Sequence, residues 1–178
     1  NVALAVSTAG YLFGITIALG GVLAGPSAGW QADLLGISVY GGMTVAMMLV
    51  ASWLCEKVLL SRFNNTKEVV EDQNLGTAFV EAGVHIANGL ILLAIQQGSG
   101  AWWIGVVFWA LAQVALMVVG LVYEKATTHS IHDELERDNA AVGLAFAGVL
   151  VGMGNIISLA VAGDFTSWKD SLITFGAD

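Results

Sequence analysis

Long apolar runs alternate with polar connections along the whole chain. Five runs reach the roughly 20 residues that a helix needs to cross a ~30 Å hydrocarbon core: Asn1 to Ala24, Leu34 to Leu60, Asn74 to Gln97, Ala101 to Tyr123 and Asn139 to Ala162. The pattern predicts an all-α fold, a polytopic transmembrane helix bundle with five spanning helices. The connections also alternate. GPSAGWQA and GSG are short and nearly uncharged, whereas Ser61 to Gln73 and Glu124 to Asp138 are long, polar and charged.

The first, third and fifth runs are copies of one another. Each begins at an Asn (Asn1, Asn74, Asn139) and places Ala or Gly two and four positions later, then Ala-Gly at eight and nine; a Gly closes each run twenty-four positions after the Asn, at Gly25, Gly98 and Gly163. The second and fourth runs are bulkier and end alike, in Cys55-Glu56-Lys57 and Tyr123-Glu124-Lys125. The repeating unit is therefore a two-helix hairpin. The chain reads as one membrane domain: residues 1–25 as the second helix of a hairpin whose first helix is missing, 34–98 and 101–163 as two hairpins, and 164–178 as a tail.

At 100° per residue the repeated small positions fall on two faces. Ala5 and Ala9, Ala78 and Ala82, Gly143 and Ala147 share one; Ala3, Gly10 and Gly14, Gly76, Gly83 and Ala87, Ala141, Gly148 and Gly152 share the other. Bulky residues such as Phe79, Val84 and Ile91 lie between. In lipid the hydrophobic effect does not drive helices together, so close approach over small residues supplies the attraction. Ala9, Gly10, Ala82, Gly83, Ala147 and Gly148 are thus expected in helix contacts, and Asn1, Asn74 and Asn139 as N-caps.

Composition sharpens the class. The 178 residues are 57% hydrophobic and 11% charged, with a mean hydropathy of +0.78, far from the quarter or so of charged residues in soluble domains. Six Lys and Arg against a net charge of -8 leave no footprint for nucleic acid, and one cysteine leaves no disulfide framework. Lys57, Arg62, Lys67, Lys125 and Arg137 flank the two long connections and only Lys169 lies on the other side. By the positive-inside rule those connections are cytoplasmic. Trp30, Trp102, Trp103 and Trp168 gather at the opposite interface. In the tail, Phe165, Trp168, Leu172 and Phe175 recur at helical spacing, as in a segment lying in the interface; the start of a sixth helix is the alternative.

The N-x-A/G-x-A/G-x-x-x-A-G helices, the second and third each after a bulkier helix and a polar loop, resemble the bacterial inner-membrane family catalogued as the domain of unknown function numbered three hundred and fifty. The resemblance covers Leu34 to Gly163 as tandem hairpins, with Asn1 to Gly25 as a further second helix. It implies a multi-pass protein of the bacterial inner membrane, and carries no catalytic residues or cofactor with it.

Candidate chemistry lies in the third run. Glu81, His85 and Asn88 stand at i, i+4 and i+7 on one helical stripe, about 10 Å deep at Glu81 and about 16 Å at His85 when Asn74 marks the boundary; Gln113 in the fourth run lies at similar depth. The first and third copies have Thr8, Leu12 and Ile15, and Phe146, Leu150 and Met153, at these places, so the stripe belongs to the middle copy alone. An ion at mid-bilayer costs at least about 2.5 kcal/mol, which predicts that Glu81 and His85 form a buried pair. His129, His132, Asp133 and Glu136 have spacings that a metal site uses, weakly, without a third converging element. No phosphate loop, nucleophile elbow or Ser/His/Asp arrangement is visible. Two functions follow from different classes: a non-enzymatic module without cofactor, packing in the lipid bilayer with copies of itself or other membrane subunits; or a channel or transporter moving a proton or small cation along Glu81, His85 and Asn88. Water at Glu81 and His85 favours the second, dry pairing the first.

Overall fold

The structure, a computed structural model, describes residues 1–177 apart from Pro26, Phe63 and Ser99. Its elements in order are α1 (Val2–Leu23), α2 (Trp30–Val58), α3 (Leu75–Gln97), α4 (Trp102–Ala126), α5 (Ile131–Glu136), α6 (Ala140–Val161) and α7 (Trp168–Ala177), with a π-helical turn, Lys67–Glu71, before α3. No strand occurs among the described residues. α1, α2, α3, α4 and α6 are each long and apolar enough to cross a membrane; the chain is a multi-pass helical membrane protein. Pro26 and Ser99, in the two short connections, lie outside the described residues.

Two helix ends differ from the apolar pattern. α2 begins at Trp30 rather than Leu34, because the carboxylate of Asp33 accepts from the Ala28 amide at 2.9 Å and from the Ser27 hydroxyl, folding the loop onto an extra helical turn. α4 runs past Tyr123 to Ala126. The tail forms α7 in an aromatic cluster: Trp168 packs on Trp103 at 5.7 Å, on Phe108 at 6.3 Å and on Phe165 at 5.1 Å between ring centroids.

α1, α3 and α6 stand parallel in one row with α3 at its centre. Within the spanning windows 56% of α3 is buried, against 22% of α1 and 33% of α6. The two contacts along the row are built alike. Gly10 sits on Ala82, Gly14 on the His85 carbonyl, and Gly89 on Gly14; one helix further on, Gly76 meets Gly143, Gly83 meets Ala147 and Ala87 meets Gly154. Backbones touch here: a Cβ added to Gly83 would lie 2.7 Å from the Cα of Ala147. Each helix offers the face two, nine and thirteen positions after its Asn to the face four, eight and fifteen positions after the Asn of the next.

Ala9 and Gly148 depart from the expectation that they pack inside the chain. Both are exposed, and nothing lies within 4 Å of a Cβ built on Gly148 or Gly152. The reason is their place in the row: among the described residues α1 and α6 are its end members, and each keeps one small-residue face without a neighbour. α2 and α4 flank the row, α4 stacking Tyr123 on Phe146 of α6 at 5.4 Å.

The Asn side chains cap α1, α3 and α6, accepting from the amides of Leu4 at 3.0 Å, Thr77 at 2.8 Å and Val142 at 3.3 Å. Their own amide groups tie the row together. Asn1 donates to the carbonyls of Val69 and Val70, just ahead of α3. Asn74 donates to the carbonyl of Leu135, just ahead of α6, and to Glu68 at 2.9 Å. Asn139 donates to Glu134 at 2.7 Å. Asp138 adds a second cap to α3, accepting from Leu75 at 2.6 Å and Gly76 at 3.3 Å. The residues just before the second and third Asn, Gln73 and Asp138, sit in the left-handed region with φ of 57° and 56°.

Candidate functional site

The stripe on α3 faces two different neighbourhoods. Asn88 points at α4, where Gln113 donates to its side-chain oxygen at 2.7 Å while its own amide donates to the Val84 carbonyl at 3.0 Å. Both side chains are fully buried, Asn88 at 1% exposure and Gln113 at 2%. This is a buried cross-helix bond, and it leaves the Gln113 side-chain oxygen without a hydrogen-bond partner.

Glu81 and His85 instead face α1 and α2 across a cavity of about 320 Å³, lined among others by Ser7, Tyr11, Ser52, Asn65, Glu81 and His85. They do not form the expected pair with each other. Glu81 accepts from the Ser7 hydroxyl of α1, and His85 sits 3.2 Å from the Ser52 hydroxyl of α2 through Nδ1. A helical turn apart on one stripe, the two side chains diverge to the separate helices that reach them first. Ser52 also donates to the Met48 carbonyl at 2.9 Å. Tyr11 holds the ring edge-on, 5.2 Å between centroids.

Two residues of the cavity were not legible as site residues. Asn65, in the connection before α3, is 5% exposed, and neither its amide nitrogen nor its oxygen completes a hydrogen bond, although the group acts on the Glu81 carboxylate across the cavity. Ser7 reads in sequence as one small residue of a packing helix. Only the register of α1 on α3 reveals its role.

A second cavity, about 550 Å³, opens at the other end of the bundle beside Tyr40, Thr44, Met47, Gln96 and Phe165. The two share no lining residue; on α2, Met48 is fully buried and lies against Gly14.

His129, His132, Asp133 and Glu136 are not brought together. The Ser130 cap starts α5 after His129, which turns His132 inward to Glu124 at 3.1 Å and Asp133 outward to Arg62 at 3.2 Å. Among the described residues no group of three or more His, Cys, Asp or Glu could hold a metal ion. Cys55 is a buried free thiol.

A family model described as Domain of Unknown Function (DUF350) matches the chain twice, over residues 1–95 and 99–177. No curated protein and no solved structure matches the chain.

Proposed function

The chain belongs to the DUF350 family, and from that premise we propose that it is a non-catalytic membrane module which assembles into an oligomer, or into a larger membrane assembly, by the same helix contact that it uses internally. One observation carries this reading: the face that closes on a neighbour at Gly10 and at Gly83 is open at Gly148 and Gly152. The matching face of α1, with Ala5 and Ala9, is exposed at the other end of the row. The capping residues follow the same row, since Asn1 and Asn74 each reach the segment ahead of the next row helix, whereas Asn139 donates to Glu134. In a bilayer such small-residue faces gain contact only against another helix.

Ala9 is the counterpart of Ala82 and Ala147, so in a row continued by a second copy it meets Gly148. In a Cys55→Ala background, a variant carrying both Ala9→Cys and Gly148→Cys is expected to oxidise in the membrane to a ladder of covalent oligomers, and either change alone to give none. A ladder missing from the double variant, or equally strong in the single ones, removes the reading.

Conduction along Glu81, His85 and Asn88 has weaker support. The cavity is lined by the first two residues but not by Asn88, which is bonded to Gln113 instead.

The same proposal sets the chain in a bacterial inner membrane with the connections 61–73 and 124–138 in the cytoplasm, because five of the six Lys and Arg lie on that side. Without Cys55, a cysteine at Thr66 or Thr127 should react with impermeant maleimide only in inverted vesicles, and one at Ala101 only in intact cells. The opposite pattern reverses the orientation.

A further inference from the structure

The cavity beside Glu81 is a built site whose occupant the assembly reading does not supply. Its lining includes the Glu81 carboxylate, whose polar neighbours Ser7 and Asn65 are both neutral, and among the described residues no Lys, Arg or His pairs with it. Beside it stands Asn65, more than nine-tenths buried, with an amide that completes no hydrogen bond. Native proteins seldom bury such a group without a partner, since the lost hydration costs about 1–3 kcal/mol. A half-buried carboxylate next to it carries a larger cost. One ligand satisfies both.

We propose that this cavity binds a small primary alkylammonium cation. The ammonium group donates to the Glu81 carboxylate and to the Asn65 carbonyl oxygen; Tyr11 offers an aromatic surface beside the charge; and Leu60, Val69 and Val84, which also line the cavity, receive the alkyl part. Size argues against a bare metal ion: 320 Å³ is the share of about ten water molecules in the liquid, and the lining offers two carboxylates, Glu81 and the exposed Glu56, where a hard cation would draw six or more oxygens close. Glu56 at the mouth adds attraction for a positive guest. The inference concerns binding and not passage, and it stands independently of whether copies of the chain assemble.

The test is calorimetric titration of the purified protein in lipid nanodiscs with n-butylammonium chloride, with n-butanol, sodium chloride and tetramethylammonium chloride as comparisons. Saturable binding of butylammonium is expected, with the other three at least about tenfold weaker because each lacks the charge, the alkyl part or the N–H donors. Glu81→Gln should weaken binding about tenfold or more, the loss of a charge-assisted bond, and Asn65→Ala severalfold, with both variants eluting as the unmodified protein does. If Glu81→Gln fails to fold, Asn65→Ala decides alone. No saturable heat with butylammonium, equal binding of butanol or tetramethylammonium, or undiminished binding by the folded variants overturns the proposal.

Discussion

Gly83→Leu should abolish the folded protein, while Gly148→Leu, an identical change at the repeat-equivalent position, should leave the monomer as stable as before. At Gly83 even a Cβ would lie 2.7 Å from the Cα of Ala147 and 2.8 Å from its Cβ. Backbone cannot swing aside as a flexible side chain does, so α3 and α6 must separate along the central contact of the row. Overpacking in a core with some room costs about 1–3 kcal/mol; here at least about 3 kcal/mol is expected, enough to remove folded material. At Gly148 nothing lies within 4 Å, and an exposed change of this kind stays within about 0.5 kcal/mol. Its effect should fall on association instead: the Leu covers the open end of the row and the oligomer dissociates. Thermal unfolding in detergent separates the stability effects, and mass measurement in nanodiscs reads the association. Equal destabilisation by both changes would show that Gly148 is packed within the chain; an unaltered oligomer in Gly148→Leu would count against the assembly reading.

The second large effect is expected at Asn74, which is 2% exposed and makes three contacts through one amide side chain. It caps α3 at Thr77, donates to Glu68 and donates to the carbonyl of Leu135. Loss of an N-cap costs about 1 kcal/mol and each further hydrogen bond about 0.5–1.5 kcal/mol, more where the partner stays buried. Asn74→Ala should therefore cost about 2–4 kcal/mol. Asn139→Ala, which removes a cap and the Glu134 bond but no bridge to a further segment, should cost about 1 kcal/mol less. Chemical unfolding of the two variants under one condition measures the difference, and equal losses would mean that the Leu135 bridge contributes nothing.

The contrast between those two asparagines marks how far the chain could be read before its fold was known. The Asn and small-residue repeat, periodic and present three times, disclosed the spanning helices and the two small faces, because one-dimensional spacing is all that a helical face requires. It also singled out Glu81 and His85, since an ionisable group in an apolar run stands out against its neighbours. It did not disclose that Glu81 turns to Ser7 and His85 to Ser52, or that Asn88 parts from them to join Gln113. Three residues on one stripe of an isolated helix look like one site, and the surrounding helices divide it.

What the sequence determined by itself is therefore what each helix carries: its length, its faces, its cap and the polar groups along it. Tertiary structure alone decided which face meets which, and so which of two identical glycines is buried. Gly83 and Gly148 occupy the same place in the repeat and differ only in position along the row. Asp138 illustrates the same division. In the sequence it is one acid in a charged loop, and in the fold its carboxylate caps α3 from the other side of the row. Contacts of that kind depend on the relative register of separate helices, which is set by backbone approach between them and leaves no periodic trace along the chain.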